Sequence, residues 1–263
     1  LVFESFTTYD GIEQPQLFIA TTKWEWERYP VLRFDFSSGD LATIKDLDSL
    51  IDFTLSEYEE QYGIKPRRKS DFNLRMKKLI HTAEREMGKR VVVLVDEYDN
   101  FILHSLGDTE KTNTARQRFQ HLFGPLKSED DHIQFVFITG ISKFSQMGIF
   151  SKLNNLNNIS MAPDYETICG MSEEELVTTL RPDIELLAER QEKSYDAMLA
   201  ELKANYDGYH FSEEKTDMYN PFSLVKAFNN KKVGSYWFDS ATPSSLINML
   251  ANMPPIDIHA IDG

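Results

Sequence analysis

Five branched aliphatic residues in succession, Val91 to Val95, run without a polar break into Asp96-Glu97. An unalternated run of this kind suits a strand buried on both faces of a parallel sheet, since a strand with one wet face alternates apolar and polar residues. Phe135 to Thr139 is a second such run. Between the two lie Ala115, Phe119, Leu122, Phe123 and Leu126, spaced as one face of a helix. Parallel strands need a long crossover, and crossovers within one sheet are right-handed, so strand, long loop, helix and strand predict a right-handed βαβ unit.

Val31 to Ser37 supplies a third strand, closed by the turn residues Ser37-Ser38-Gly39-Asp40. Ile44, Leu47, Ile51, Leu55, Tyr58 and Tyr62 recur every three or four residues and predict a helix. Phe72, Met76, Leu79, Ile80, Ala83 and Met87 predict a second, with Gly88 ending it at a positive φ. The expected fold class is α/β: a three-layer αβα core over residues 1–165, its mostly parallel sheet built from 31–37, 91–95 and 135–139 and covered by helices on both sides.

Residues 166–263 read as a mainly helical region, lid-like or winged-helix-like. Ser172 with Glu175 forms a capping-box pattern, and Arg181-Pro182 interrupts or restarts the helix that it opens. Asn220-Pro221 and Thr242-Pro243 each read as a cap followed by a first-turn proline.

Charge narrows the function. Twenty-eight Lys plus Arg against 42 Asp plus Glu leave a net charge of -14, which repels nucleic-acid phosphates. The basic cluster Lys65 to Lys69 reads as a solvated loop rather than a phosphate contact. A single cysteine, Cys169, excludes an internal disulfide and a cysteine-rich zinc site, and its apolar neighbours predict a buried thiol. Histidines 81, 104, 121, 132, 210 and 259 show no zinc-binding spacing. The longest apolar run is far short of a membrane span and no secretory leader is evident, so a cytoplasmic protein without a membrane partner is expected.

In open parallel sheets ligands bind beyond the carboxyl ends of the strands, which is where Asp96 and Glu97 fall. In nucleoside triphosphatases an Asp so placed helps to hold Mg²⁺, and an adjacent Glu can polarise the water that attacks the γ-phosphate. Asp96 is therefore the expected metal and cofactor-binding residue and Glu97 the expected catalytic one. Asp99 can orient the site, cap a helix or form a salt bridge. Thr139, at the tip of the neighbouring strand, can bond the attacking water or the γ-phosphate. Ser142 and Lys143 follow Gly140, whose small size lets the backbone turn close to a ligand, and Lys143 reads either as a phosphate-neutralising cation or as a solvated side chain. The pattern G-x-x-x-x-G-K-[ST], which cradles phosphates, does not occur in these 263 residues.

Tyr29 to Ser37, Val92 to Asp99, Phe137 to Ser145, Leu153 to Asn158 and Thr167 to Leu176 together resemble the bacterial predicted AAA-ATPase family. The likeness continues through Asn205 to Phe211, Tyr219 to Ser223 and Tyr236 to Ser244, and covers roughly positions 22 to 250. Members pair a P-loop ATPase core with a C-terminal PD-(D/E)XK nuclease-like domain. The resemblance places Asp96 and Glu97 on the Walker B acids and Thr139 on the sensor-bearing strand. It also implies that a phosphate loop precedes residue 1 and that the nuclease-like domain follows residue 263, so the chain reads as the middle of a longer protein. The strand belonging to that loop is then expected to be missing, leaving a sheet position empty, distorted or filled by the N-terminal segment.

The expected activity is ATP binding and hydrolysis with Mg²⁺ by the intact protein, driving or gating an attached module. The chain alone is expected to bind ATP-Mg²⁺ weakly or not at all. A homo-oligomer or a protein partner fits this reading, and nucleic acid enters only through regions outside the chain. Two other readings stay open: a nucleotide-independent interaction scaffold, and a metal-dependent nuclease using Asp96, Glu97 and Asp99.

Overall fold

The computed structural model describes residues 23, 25–37, 41–65, 71–105, 107–140, 153–212 and 216–236, together with the backbone of two short N-terminal strands. The chain divides into two compact units, residues 1–100 with 118–142 and residues 101–117 with 143–263.

In the first unit β1 (Phe6–Thr7) and β2 (Glu13–Gln14) pair with each other, antiparallel, as a separate two-stranded sheet among the described residues. Then come β3 (Val31–Asp35), α1 (Ile44–Gln61), α2 (Phe72–Met87) and β4 (Val91–Asp96). Helices α3 (Asn100–His104) and α4 (Thr109–Phe123) pass through the second unit's segment, and α4 returns to the first. The short α5 (Pro125–Ser128) and a 3-10 turn at Asp130–His132 lead into β5 (Ile133–Ile138).

The three longer strands form one parallel sheet in the order β3-β4-β5, with the aliphatic run of β4 at its centre. The parallel pairing of β4 and β5 across a helical connection is the one the apolar runs predict. The strand limits shift by a few residues, and the reason at β3 is local. Phe36 still donates its N–H to the Asp96 carbonyl at 3.0 Å, but the Ser37 N–H turns back onto the Asp35 carboxylate at 2.9 Å and ends the ladder.

One face of the sheet is dry. Leu32, Phe34, Val93 and Val95 are buried there, and Phe36 continues the row. Phe34 packs edge-on to Phe123 and tilted to Tyr58, and Phe36 packs edge-on to Phe119, which places α1 and the end of α4 over this face. The other face carries Val31, Phe135 and Phe137, exposed at 42%, 54% and 38%. Among the described residues helices therefore cover one face, and β4 alternates buried with half-buried instead of being dry on both sides.

The helices form where the apolar period predicts. Thr43 and Asp46 satisfy each other's backbone N–H groups at the start of α1, and Gly88 ends α2 at φ 64°. Leu47, Ile51 and Leu55 of α1 and Met76, Leu79, Ile80 and Ala83 of α2 are fully buried, and each large aliphatic side chain contributes about 1.5–3 kcal/mol. Arg75, itself buried, joins the two helices. Its guanidinium donates to both carboxylate oxygens of buried Glu59, at 3.0 and 2.9 Å, to Asp52 at 2.6 Å and to Ser56 at 2.9 Å. At the outer edge of β3 the Tyr58 hydroxyl accepts the Arg33 N–H at 2.7 Å and donates to the Arg33 carbonyl at 3.3 Å.

The second unit contains α6 (Glu173–Thr179), α7 (Arg181–Arg190), α8 (Tyr195–Tyr206) and α9 (Pro221–Asn230). Their common core holds Leu176, Ile184, Leu187, Met198, Leu202 and Leu224. The Ser172–Glu175 capping box forms, and Asn220 caps α9 by accepting the Ser223 N–H at 2.9 Å. Arg181-Pro182 restarts the chain as α7. Cys169 is exposed, contrary to its apolar surroundings in sequence. The chain there packs through backbone: a Cβ on Gly170 would lie 2.7 Å from Met218 Cβ, while Ile168 stands 62% exposed. The Thr242-Pro243 cap and most of the basic cluster, residues 66–69, lie outside the described residues.

Candidate functional site

The carboxyl ends of the three parallel strands bring together residues that are far apart in sequence. Asp35 and Asp96 are register partners at the last rung of β3 and β4. Thr139 extends β5 by one residue, donating its N–H to the Val95 carbonyl at 2.8 Å and accepting the Tyr98 N–H at 3.2 Å. This backbone clasp sets the Thr139 hydroxyl beside Asp96, and the hydroxyl donates to Asp96 Oδ1 at 2.6 Å. The Glu97 N–H points at the same hydroxyl from 3.4 Å.

Three neighbours complete the cluster. Arg33, on the half-wet side of β3, reaches Asp35 Oδ2 at 3.1 Å and Asp96 Oδ2 at 3.5 Å. Ser37 donates its hydroxyl to Asp35 Oδ1 at 2.6 Å. That bond, ahead of the Ser37 N–H and the Arg33 charge and against the cost of burial, holds the Asp35 carboxyl below its ordinary value. Asn100 ties the following turn to β3 by donating to the Phe36 carbonyl at 2.9 Å.

Glu97 leaves the strand at φ 53°, in the left-handed region that a side chain with a Cβ enters at a cost of about 1 kcal/mol. Its carboxyl is pushed above the ordinary glutamate value, first by burial and then by the charges of Asp99, Asp96 and Asp35. Strain and raised basicity thus coincide on one residue. Asp99 is fully buried, and Gly140 is there because nothing larger fits: a Cβ would lie 2.6 Å from Asp99 Oδ1 and 2.8 Å from Tyr98 Cδ1.

Asp96, Glu97 and Thr139 are thus gathered at one point, whereas Ser142 and Lys143 lie outside the described residues. Arg33, Asp35 and Ser37 were not singled out as site residues by the sequence. Their signal is a charged pair two positions apart on a strand, which becomes meaningful once the register sets Asp35 opposite Asp96. The donor set is one of hard carboxylate and hydroxyl oxygens, the kind that suits magnesium better than a soft metal.

Residues 13–150, just over half of the chain, match the profile of the predicted AAA-ATPase family. The chain belongs to that family. It is 35% identical over 229 residues to a protein of Azotobacter chroococcum mcd 1 described as an uncharacterized protein in the vnfD 5' region, an alignment covering 87% of this chain and 42% of that relative. The chain thus spans less than half the length of the relative it matches. No solved structure matches it significantly. Among the described residues no helix is long and apolar enough to cross a membrane.

Proposed function

We propose that the whole protein to which this chain belongs binds ATP with Mg²⁺ and hydrolyses it on a P-loop NTPase core. Asp96 holds the magnesium ion, directly or through its waters, and Glu97 accepts the proton of the attacking water. The observation that carries this reading is the adjacent acid pair at the carboxyl end of the central parallel strand, with the Thr139 hydroxyl fixed on Asp96 Oδ1 at 2.6 Å. When bound, the ion supplies charge that offsets what builds on the phosphate oxygens.

The rest is positioning. The Thr139 bond leaves Asp96 Oδ2 as the oxygen turned toward Arg33, and the bent backbone at Glu97 carries its carboxyl clear of the strand. A carboxylate of raised basicity is better matched to proton transfer near neutrality. Ser142 and Lys143 belong to the proposal as phosphate-side residues following Gly140. Residues 1–165 then form the ATPase core and 166–263 a helical region that moves with the cycle, in a cytoplasmic protein acting with further copies or a protein partner.

For these 263 residues taken alone, which lack G-x-x-x-x-G-K-[ST], there is a second reading, a scaffold that keeps the sheet without the chemistry. The two separate in one experiment. ATP turnover is measured on the full-length protein, its Glu97→Gln variant and the 263-residue chain. Turnover by the first, lost in the second and absent from the third, supports hydrolysis. A full-length protein that releases no phosphate, or a Glu97→Gln variant as active as its parent, sinks it.

A further inference from the structure

Away from the acid cluster, α2 and the turn before β5 assemble four metal-ligating side chains. The Nε2 of His81 lies 2.7 Å from Glu129 Oε2, and His132 Nδ1 lies 2.5 Å from Glu84 Oε2. The two imidazole rings are 4.2 Å apart, centre to centre. One ligand atom each from His81, Glu129 and His132 falls within a sphere in which all lie within 4.8 Å of one another. We propose that these three side chains bind a divalent transition-metal ion, zinc for preference, with Glu84 orienting the His132 ring.

The location separates this site from the one above. His132 immediately precedes β5, so the cluster sits at the amino ends of the parallel strands, whereas Asp96 closes the carboxyl end of β4. A strand of this length puts about 20 Å between them. The ligand chemistry differs too: two imidazoles and one carboxylate are a borderline set that zinc takes readily, with a fourth position left for water.

The supporting bonds match what a metal-bound histidine needs. With Nδ1 of His132 held by the Glu84 carboxylate, Nε2 is the nitrogen left to bind a metal, and such a carboxylate fixes the tautomer and the ring plane. His81 and Glu84 lie one helical turn apart on α2, which presents both to the same turn. Glu129 accepts the Ser128 hydroxyl on Oε1 at 2.8 Å, which leaves Oε2, the oxygen that faces His81, for the cation. His81 and His132 keep 46% and 35% of their side chains exposed, which leaves a path for the ion. Inserting zinc between His81 and Glu129 opens their 2.7 Å hydrogen bond to about 3.3 Å, the separation of two ligands at zinc's usual bond lengths.

Lys77 is the group that opposes the ion. Its ammonium sits 2.9 Å from Glu129 Oε1, and it is exposed enough to swing aside. Removing that charge therefore strengthens zinc binding, an effect that a merely structural ion-pair cluster would not produce.

Zinc chloride titrated calorimetrically into the 263-residue chain tests the assignment. One equivalent binds; His81→Ala and His132→Ala each weaken it at least about tenfold, Glu84→Gln by about 10–100-fold, and Lys77→Gln tightens it. Asp96→Asn leaves it unchanged, which keeps this site distinct from the acid cluster at the carboxyl ends of the strands. Circular dichroism confirms that each variant is folded, as the partial exposure of these side chains leads one to expect. No saturable heat with the parent chain, or the same affinity in folded His81→Ala and His132→Ala variants, overturns the proposal.

Discussion

Thr139 donates its hydroxyl proton to Asp96 Oδ1 at 2.6 Å, locking together the ends of two parallel strands. A bond to a carboxylate is worth more than one between neutral groups, but Asp96 keeps 44% of its side chain in water, which weakens the contribution. Thr139→Val is expected to cost about 0.5–1.5 kcal/mol, and Thr139→Ser, which keeps the donor, less than half of that. Urea unfolding monitored by fluorescence measures both. A Thr139→Val variant as stable as the parent, with the loss confined to Thr139→Ser, would show that the methyl group matters and the hydrogen bond does not.

Glu97 should destabilise the fold that it serves. Burial, and then the charges of Asp99, Asp96 and Asp35, push its carboxyl above the ordinary glutamate value in the folded protein, so the folded state favours the protonated acid. Stability from this group is fully present below that value and declines as pH rises through the folded pKa. Glu97→Gln, which never ionises, is therefore expected to melt higher than the parent above neutrality, with the gap closing in acid below the ordinary glutamate value. Thermal melts of both proteins across this range check the sign; a variant that is less stable at pH 8 than its parent contradicts the argument.

Arg75 predicts a large loss of stability. Its guanidinium and the Glu59 carboxylate are almost wholly hidden from water, so Arg75→Ala leaves an uncompensated charge between α1 and α2. The expected cost is about 3–5 kcal/mol, and replacing the pair with two methionines should recover most of it. Denaturant midpoints report the outcome, and a single variant within 1 kcal/mol of the parent, as an order of magnitude, would falsify the assignment of a buried pair.

What the sequence discloses about this fold is what depends on neighbours along the chain. The helical period of Leu47, Ile51 and Leu55, the Ser172–Glu175 cap and the aliphatic run of Val91 to Val95 are each complete within a few turns or residues, and each sits where its pattern predicts. The acid pair was legible for the same reason, since a strand end and two carboxylates are adjacent in sequence. Arg33 and Asp35 were hidden because their part is set by the register of β3 against β4, which no local pattern encodes. The histidine cluster was hidden more deeply: His81 and His132 are brought together only after α2, β4 and α4 have folded between them. Cys169 misled because apolar neighbours in sequence do not bury a side chain where backbone makes the packing contact at Gly170.

The Tyr58 hydroxyl at the margin of β3 has a bearing on how the molecule keeps to itself. An uncovered strand margin is a template for another chain, and flat pairing of margins is a common route to insoluble assemblies. At Arg33 one phenol oxygen engages both the N–H and the carbonyl that an incoming strand would need. At that rung the margin is thus blocked by a side chain from the first helix. Among the described residues this flank of the sheet is guarded at its middle rung, by a single phenol that answers both backbone groups at once.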